Sequence, residues 1–228
     1  MKKIIILLLL LLPETIYSLN IYQQKLIDNL EKGTIEQITE ILQNVPDVNF
    51  TDSKNRTPLI YAAAYRNNPV VSLLLSKGAK VNVGGDRGKT ALIYAAKNSN
   101  DTAELINILL AASANINQPD NNKWTPLMHA ARTGHVNNVK KLIELKADET
   151  LQDDKGNTAL MHAIIGADEK TAEMYKEHIR LLSQNQNVID LKNKEQLTAA
   201  ELAKKFNLTK LWNEVSPYPD YSWDDFDW

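Results

Sequence analysis

Four histidines, His129, His135, His162 and His178, are the side chains best suited to acid–base or metal chemistry near neutral pH, so their company decides what the chain can do. Cysteine is absent, and no HExxH helix, nucleophile elbow or phosphate-binding glycine loop accompanies them. Gly84, Gly85 and Gly88 fall between two apolar segments, where glycine serves turns. His129 and His162 are the sharper case. They stand 33 residues apart in the same phrase, MHA, so their rings could meet on adjacent helices as two metal ligands do. The competing reading is that they are partly exposed neighbours, and with no third ligand in the sequence it is preferred. No catalytic residue, metal or cofactor is expected, and the chain is read as a non-enzyme.

The elements that position these residues are most legible from Thr125 to Thr150. Thr125 reads as a helix N-cap, with Pro126 at the first helical position where a missing N–H costs nothing. Leu127, Met128, Ala130 and Ala131 form one short apolar face, and Gly134 ends the helix. Val136, Val139, Leu142, Ile143 and Leu145 then recur at helical spacing, with Lys140, Lys141 and Glu144 opposite. Two helices this short cannot bury their faces alone, so the unit needs neighbours of its own kind.

Those neighbours are present. The capping threonine recurs at Thr57, Thr90, Thr125, Thr158 and Thr198, in steps of 33, 35, 33 and 40 residues, with phrases such as TPLIYAAAY, TALIYAAKN and TALMHAIIG. Second apolar segments close the first three copies, as in VVSLLLSKGAKVN and LINILLAASANIN. A T-P-L opening, a G-A-x-V-N close and a period near 33 resemble the ankyrin repeat over nearly all of residues 19–228. The resemblance implies an all-α solenoid of about six helix-turn-helix units with short β-hairpin-like tips.

On that reading the chain divides into a signal peptide at 1–18, an N-terminal capping repeat with the first hairpin at 19–56, and repeats at 57–89, 90–124, 125–157 and 158–197. A C-terminal capping repeat at 198–215 and an acidic aromatic tail at 216–228 complete it. The second repeat carries two extra residues around 98–102, and the fourth carries a longer insertion, read as a lengthened second helix and lead-in. In one respect the chain departs from the family: the T-P-L-H histidine position holds Ile60, Ile93, Met128 and Met161, so the bonds that histidine makes to neighbouring hairpins must come from elsewhere.

Composition excludes some functions. With 43% hydrophobic and 24% charged residues the chain is an ordinary folded protein, and its formal net charge of −2 points to neither nucleic acid nor an acidic membrane surface. Lys2 and Lys3, the apolar run Ile4 to Leu12 and a small residue at Ser18 have the layout of a secretory signal, too short to span a bilayer. Abundant Lys, Asn and Ile without Cys fits an exported bacterial protein, periplasmic or extracellular. Five aromatics alternate with four aspartates from Tyr218 to Trp228 without a single base, so this tail is expected either to dock on the basic array or to serve as a free peptide epitope for a second protein.

Function is therefore expected at the surface. In ankyrin proteins the hairpin tips and the exposed face of the first helix form a concave binding surface, and the resemblance carries this to Tyr61, Tyr65, Arg87, Tyr94, Lys97, Trp124, His129, Arg132 and His162. Aromatic residues with arginine on a rigid surface are what binding hot spots use. The expected activity is non-catalytic binding of a protein partner by a monomer outside the cytoplasm. The alternative is an inhibitor or immunity-type protein that blocks a secreted enzyme or toxin.

Overall fold

The computed structural model describes residues 21–98, 102–168 and 170–217, so the signal-like segment 1–18 and tail residues 218–228 lie outside the described residues. The described residues form helices and turns with no strand. Helix α1 runs through residues 21–29 and pairs with α2 (Ile35–Leu42). The pairs that follow are α3 (Pro58–Ala64) with α4 (Asn68–Ser76), α5 (Ala91–Lys97) with α6 (Ala103–Ala111), and α7 (Pro126–Thr133) with α8 (Val136–Glu144). The last two are α9 (Ala159–Gly166) with α10 (Ala172–Leu182), and α12 (Ala199–Lys205) with α13 (Thr209–Val215). Between them lies a single short turn of helix, α11 (Gln186–Ile189), that the periodicity does not announce.

The start of each first helix is dictated by its threonine. Oγ1 of Thr57, Thr90, Thr125, Thr158 and Thr198 accepts the backbone N–H three residues on, at 3.3 Å in every case. This satisfies one of the donors a helix N-terminus leaves open. The alanine pairs that follow, Ala62–Ala63, Ala95–Ala96 and Ala130–Ala131, are fully buried. With no larger side chain in the way, α3, α5, α7, α9 and α12 pack one on the next in a first layer, while α2, α4, α6, α8, α10 and α13 make the second. One apolar core runs unbroken between the layers from Leu26 to Val215. At the end of α7, Gly134 is left-handed at φ 76°, a conformation the turn requires and glycine adopts without strain.

The longer link of the second repeat is tied down from outside. Thr102 Oγ1 lies 2.8 Å from the Ala95 carbonyl and 2.9 Å from Asn138 Oδ1, and Asn138 Nδ2 donates to the Ala96 and Asn98 carbonyls at 3.0 and 3.2 Å. A fully buried asparagine on α8 thus closes the end of α5. In the fourth repeat the insertion lengthens α10 to 11 residues, where α4, α6 and α8 have nine.

With the family histidine replaced by Ile60, Ile93, Met128 and Met161, all at most 2% exposed, the hairpins are joined in other ways. Asparagine side chains at the hairpin base form one ladder: Asn49 Oδ1 accepts from Lys80 N at 2.7 Å, Asn82 Oδ1 from Asn115 N at 2.8 Å and Asn117 Oδ1 from Asp148 N at 2.9 Å. Backbone groups at the tips form a second. Asn121 donates to the Arg87 carbonyl, Asp154 to Asn122 and Lys194 to Lys155, at 3.0, 3.2 and 2.9 Å. Among the described residues no equivalent bond joins the second tip, at Asp86, to the first, at Lys54.

Candidate functional site

Four of the five tips are each built by one side chain. Asp52 Oδ1 accepts the backbone N–H groups of Lys54 and Arg56, Asp120 Oδ1 those of Asn122 and Trp124, and Asp153 Oδ1 those of Lys155 and Asn157, all at 2.8–3.0 Å. Asn193 makes the same pair of bonds to Glu195 and Leu197 with its amide oxygen. This turn chemistry leaves the second carboxylate oxygen free.

That oxygen reaches the helix nine residues further on. Asp52 Oδ2 accepts from the Tyr61 hydroxyl at 2.8 Å and from Arg56 Nε at 2.9 Å; Asp120 Oδ2 lies 3.0 Å from His129 Nε2, and Asp153 Oδ2 2.9 Å from His162 Nε2. The spacing of tip acid to ring is nine residues in all three repeats, a periodic signal that sequence reading passed over in favour of the residues at the very tip.

This geometry corrects one expectation. His129 and His162 are 8% and 2% exposed, inside the stack and not on its surface. Trp124, from the third tip, lies against both rings, with centroids 5.2 Å from His129 and 3.9 Å from His162. Each imidazole has its Nε2 bound to its own tip's aspartate, so the pair is part of the packing between repeats. Trp124 is itself half-buried.

The remaining predicted residues are accessible and partly gathered. Tyr65, 40% exposed, stacks on Tyr61 with centroids 6.2 Å apart, and the Arg56 guanidinium lies 4.5 Å over the Tyr61 ring. Lys97 lies 5.3 Å over the ring of Tyr94, both half-buried. Arg87 is exposed in the single 3-10 turn Asp86–Gly88, with φ 55°. Arg132 is set apart from these: its carbonyl accepts from the Tyr175 hydroxyl of α10 at 2.8 Å.

Electrostatics follow the burial. Although burial alone would raise the Asp52 carboxyl, hydrogen bonds from Arg56, Tyr61 and Lys54 hold it well below the usual carboxylate range. Burial and Asp52 together push Tyr61 up to about 12. His129 is pushed down to about 4 by burial, with Asp120 opposing the fall and Lys89 and Lys97 adding to it. His178, fully buried on α10, also falls to about 4 through burial; the Met174 backbone offsets only part of this and completes no hydrogen bond.

Both rings are therefore neutral when folded and titrate near 6.5 when unfolded. Their depressed values mean that the unfolded chain takes up protons first as pH falls, so stability present above about pH 6.5 is lost progressively toward pH 4, by on the order of 2 kcal/mol per ring. We expect urea midpoints to drop from pH 7 to pH 4.5, and His178→Leu to flatten the slope. An unchanged slope in that variant would show that His178 titrates normally in the folded state.

Two layers of short antiparallel helices, with four of the first helices hydrogen-bonded to their own tips, define an α-solenoid of stacked repeats. The chain belongs to the ankyrin-repeat family: the family model described as ankyrin repeats (3 copies) matches residues 28–120 and again 98–193. Among curated proteins it is similar to an ankyrin repeat protein of Fowlpox virus, at 33% identity over 135 residues, 57% of this chain and 39% of that protein. It is also similar to ankyrin repeat protein nuc-2 of Neurospora crassa, at 28% identity over 60% of this chain and 13% of that protein. A third is the ankyrin repeat, SAM and basic leucine zipper domain-containing protein 1 of Carollia perspicillata, at 31% identity over 46% of this chain and 23% of that protein. The chain thus spans less than half the length of these relatives. Ankyrin repeats are in general protein-interaction modules, not catalysts. No helix among the described residues is long and apolar enough to cross a membrane.

Proposed function

We propose that the array binds a protein partner outside the cytoplasm through its concave face, the tips together with the exposed side of the first helices. The observation that carries this reading is the set of aromatic and cationic side chains already paired on that side: Tyr61 with Tyr65 and Arg56, and Tyr94 with Lys97. Their rotamers are held before any partner arrives, so little side-chain entropy is lost on binding. Arg87 extends the same surface and Trp124 stiffens it from below. His129 and His162 act as its support.

Export from a bacterial cell is supported by the basic start and the apolar run from Ile4 to Leu12, and predicts a mature chain beginning at Leu19. Crosslinking pull-down from the exporting cell's envelope tests the binding face. Tyr65→Ala with Tyr94→Ala should lose the partner, or weaken it by tenfold or more, with the array still folded at the assay temperature. Trp124→Ala is a poorer probe, because its ring also packs between two repeats. Recovery of the same partners by the double variant at the same yield would overturn the concave-face assignment.

A further inference from the structure

The second tip lacks a part that the others have. Asp52, Asp120 and Asp153 each set a carboxylate against a ring of their own helix, and the equivalent position in the second repeat is Gly85, nine residues before Tyr94. The backbone explains the glycine: a Cβ there would stand 2.8 Å from Ile60 Cδ1 and 3.1 Å from Arg56 Cγ. Packing against the first repeat has removed the side chain, and with it the acceptor.

What the missing carboxylate leaves behind is a set of donors. The Tyr94 hydroxyl has no hydrogen-bond partner among the described residues, and Lys97, half-buried over the same ring, has no carboxylate within ion-pairing distance there. Lys89, just before the helix, is likewise unpaired among them. Burial depresses Lys97, the nearby Lys89 adds to the fall, and both lysines disfavour charge on His129. Asp86 is the acid of this tip, and its charge is felt by Tyr94, but it forms no ion pair with either lysine. An ammonium partly withdrawn from water gains from a carboxylate placed beside it.

We propose that the unpartnered donors of the second tip take one carboxylate of the bound protein, an aspartate or glutamate side chain held by the Tyr94 hydroxyl and Lys97 Nζ with Lys89 at the rim. The inference rests on the concave-face reading and names the partner chemistry for it. A carboxylate is favoured because it is the group that the chain itself places against the matching ring in three other repeats. The partner would complete, from outside, the series Asp52, Asp120 and Asp153. Charge-assisted bonds to a partly desolvated ammonium are about twice as strong as neutral ones, so this single contact would set the register of the bound segment.

The test uses the full chain and a displayed library of random 12-residue peptides. Selected peptides should share one obligatory Asp or Glu, and replacing it by Asn or Gln should weaken binding at least tenfold by fluorescence anisotropy. Lys97→Met should bring the acid and amide peptides to within about twofold of each other, Lys97→Arg should restore the difference, and neither should move the melting midpoint. Acid-free peptides that are weakened by Tyr65→Ala would overturn the acceptor site while leaving the concave face intact. A library that yields no peptide, or only peptides indifferent to both Tyr65→Ala and Lys97→Met, would overturn both readings.

Discussion

Asp153→Ala should be among the most damaging single substitutions in the array, lowering stability by about 3–5 kcal/mol. Asp153 is 5% exposed and accepts from His162 Nε2 and from the N–H groups of Lys155 and Asn157. Burial works against its charge, yet those bonds and the proximity of His162 hold its carboxyl below the ordinary range. Alanine removes the acceptor of all three donors, two of which, on Asn157 and His162, are buried. The damage spreads, because the same tip carries the Lys155 carbonyl that accepts from Lys194 at 2.9 Å and the Asn157 oxygen that accepts from Asn193 at 3.1 Å. Asp153→Asn is the informative companion. The fifth tip shows that an asparagine, Asn193, builds the same turn, so the amide should keep the two backbone bonds and cost only about 1–2 kcal/mol through a weaker bond to His162. Urea denaturation of the two variants checks this; equal losses would show that the bond to the ring carries the stabilisation and that the two turn bonds add nothing.

Trp212→Ala should cost about 3–5 kcal/mol, and the loss should be local. Trp212 is 1% exposed on α13 and fills the junction where α13 meets α10 and α12. In a stack, each unit is supported only by its neighbours, so emptying this junction should release the last pair before the interior melts. A separate early transition in urea, with hydrogen exchange accelerating in 199–215 first, is the expected signature. Trp212→Phe should lose much less. The buried indole N–H has no acceptor among the described residues, so its removal offsets part of the smaller ring's packing deficit. A single cooperative transition in the alanine variant would contradict the nearest-neighbour picture.

The contrast between what could and could not be read in the residues is one of range. Threonine caps, alanine pairs and the apolar stripe of α8 are set within a turn or two of helix, so spacing alone announces them. The place of His129 and His162 depends on Trp124, which reaches the second of them from the preceding repeat, and on aspartates nine residues away. Both rings share the phase of Tyr61 and Tyr94, which do remain accessible, so phase alone could not separate a buried ring from an exposed one. The tip acids could have done so, because an aspartate nine residues before an imidazole, twice at a step of 33, is a pattern with an electrostatic reason. Nor does periodicity reveal α11, whose four residues are too few to show a period.

The uneven joining of the tips has a mechanical consequence. Backbone bonds tie the second tip to the third, the third to the fourth and the fourth to the fifth, while the first is tied to the second repeat through Asn49, at the hairpin base, where it bonds Gly78 and Lys80. An elastic strip clamped along most of its length and held at one edge near its end bends there first. Tension applied along the array would therefore open it as a flap between the first and second fingers, beside Gly85, and a load on one end would be felt at that cleft before any helix further along began to yield.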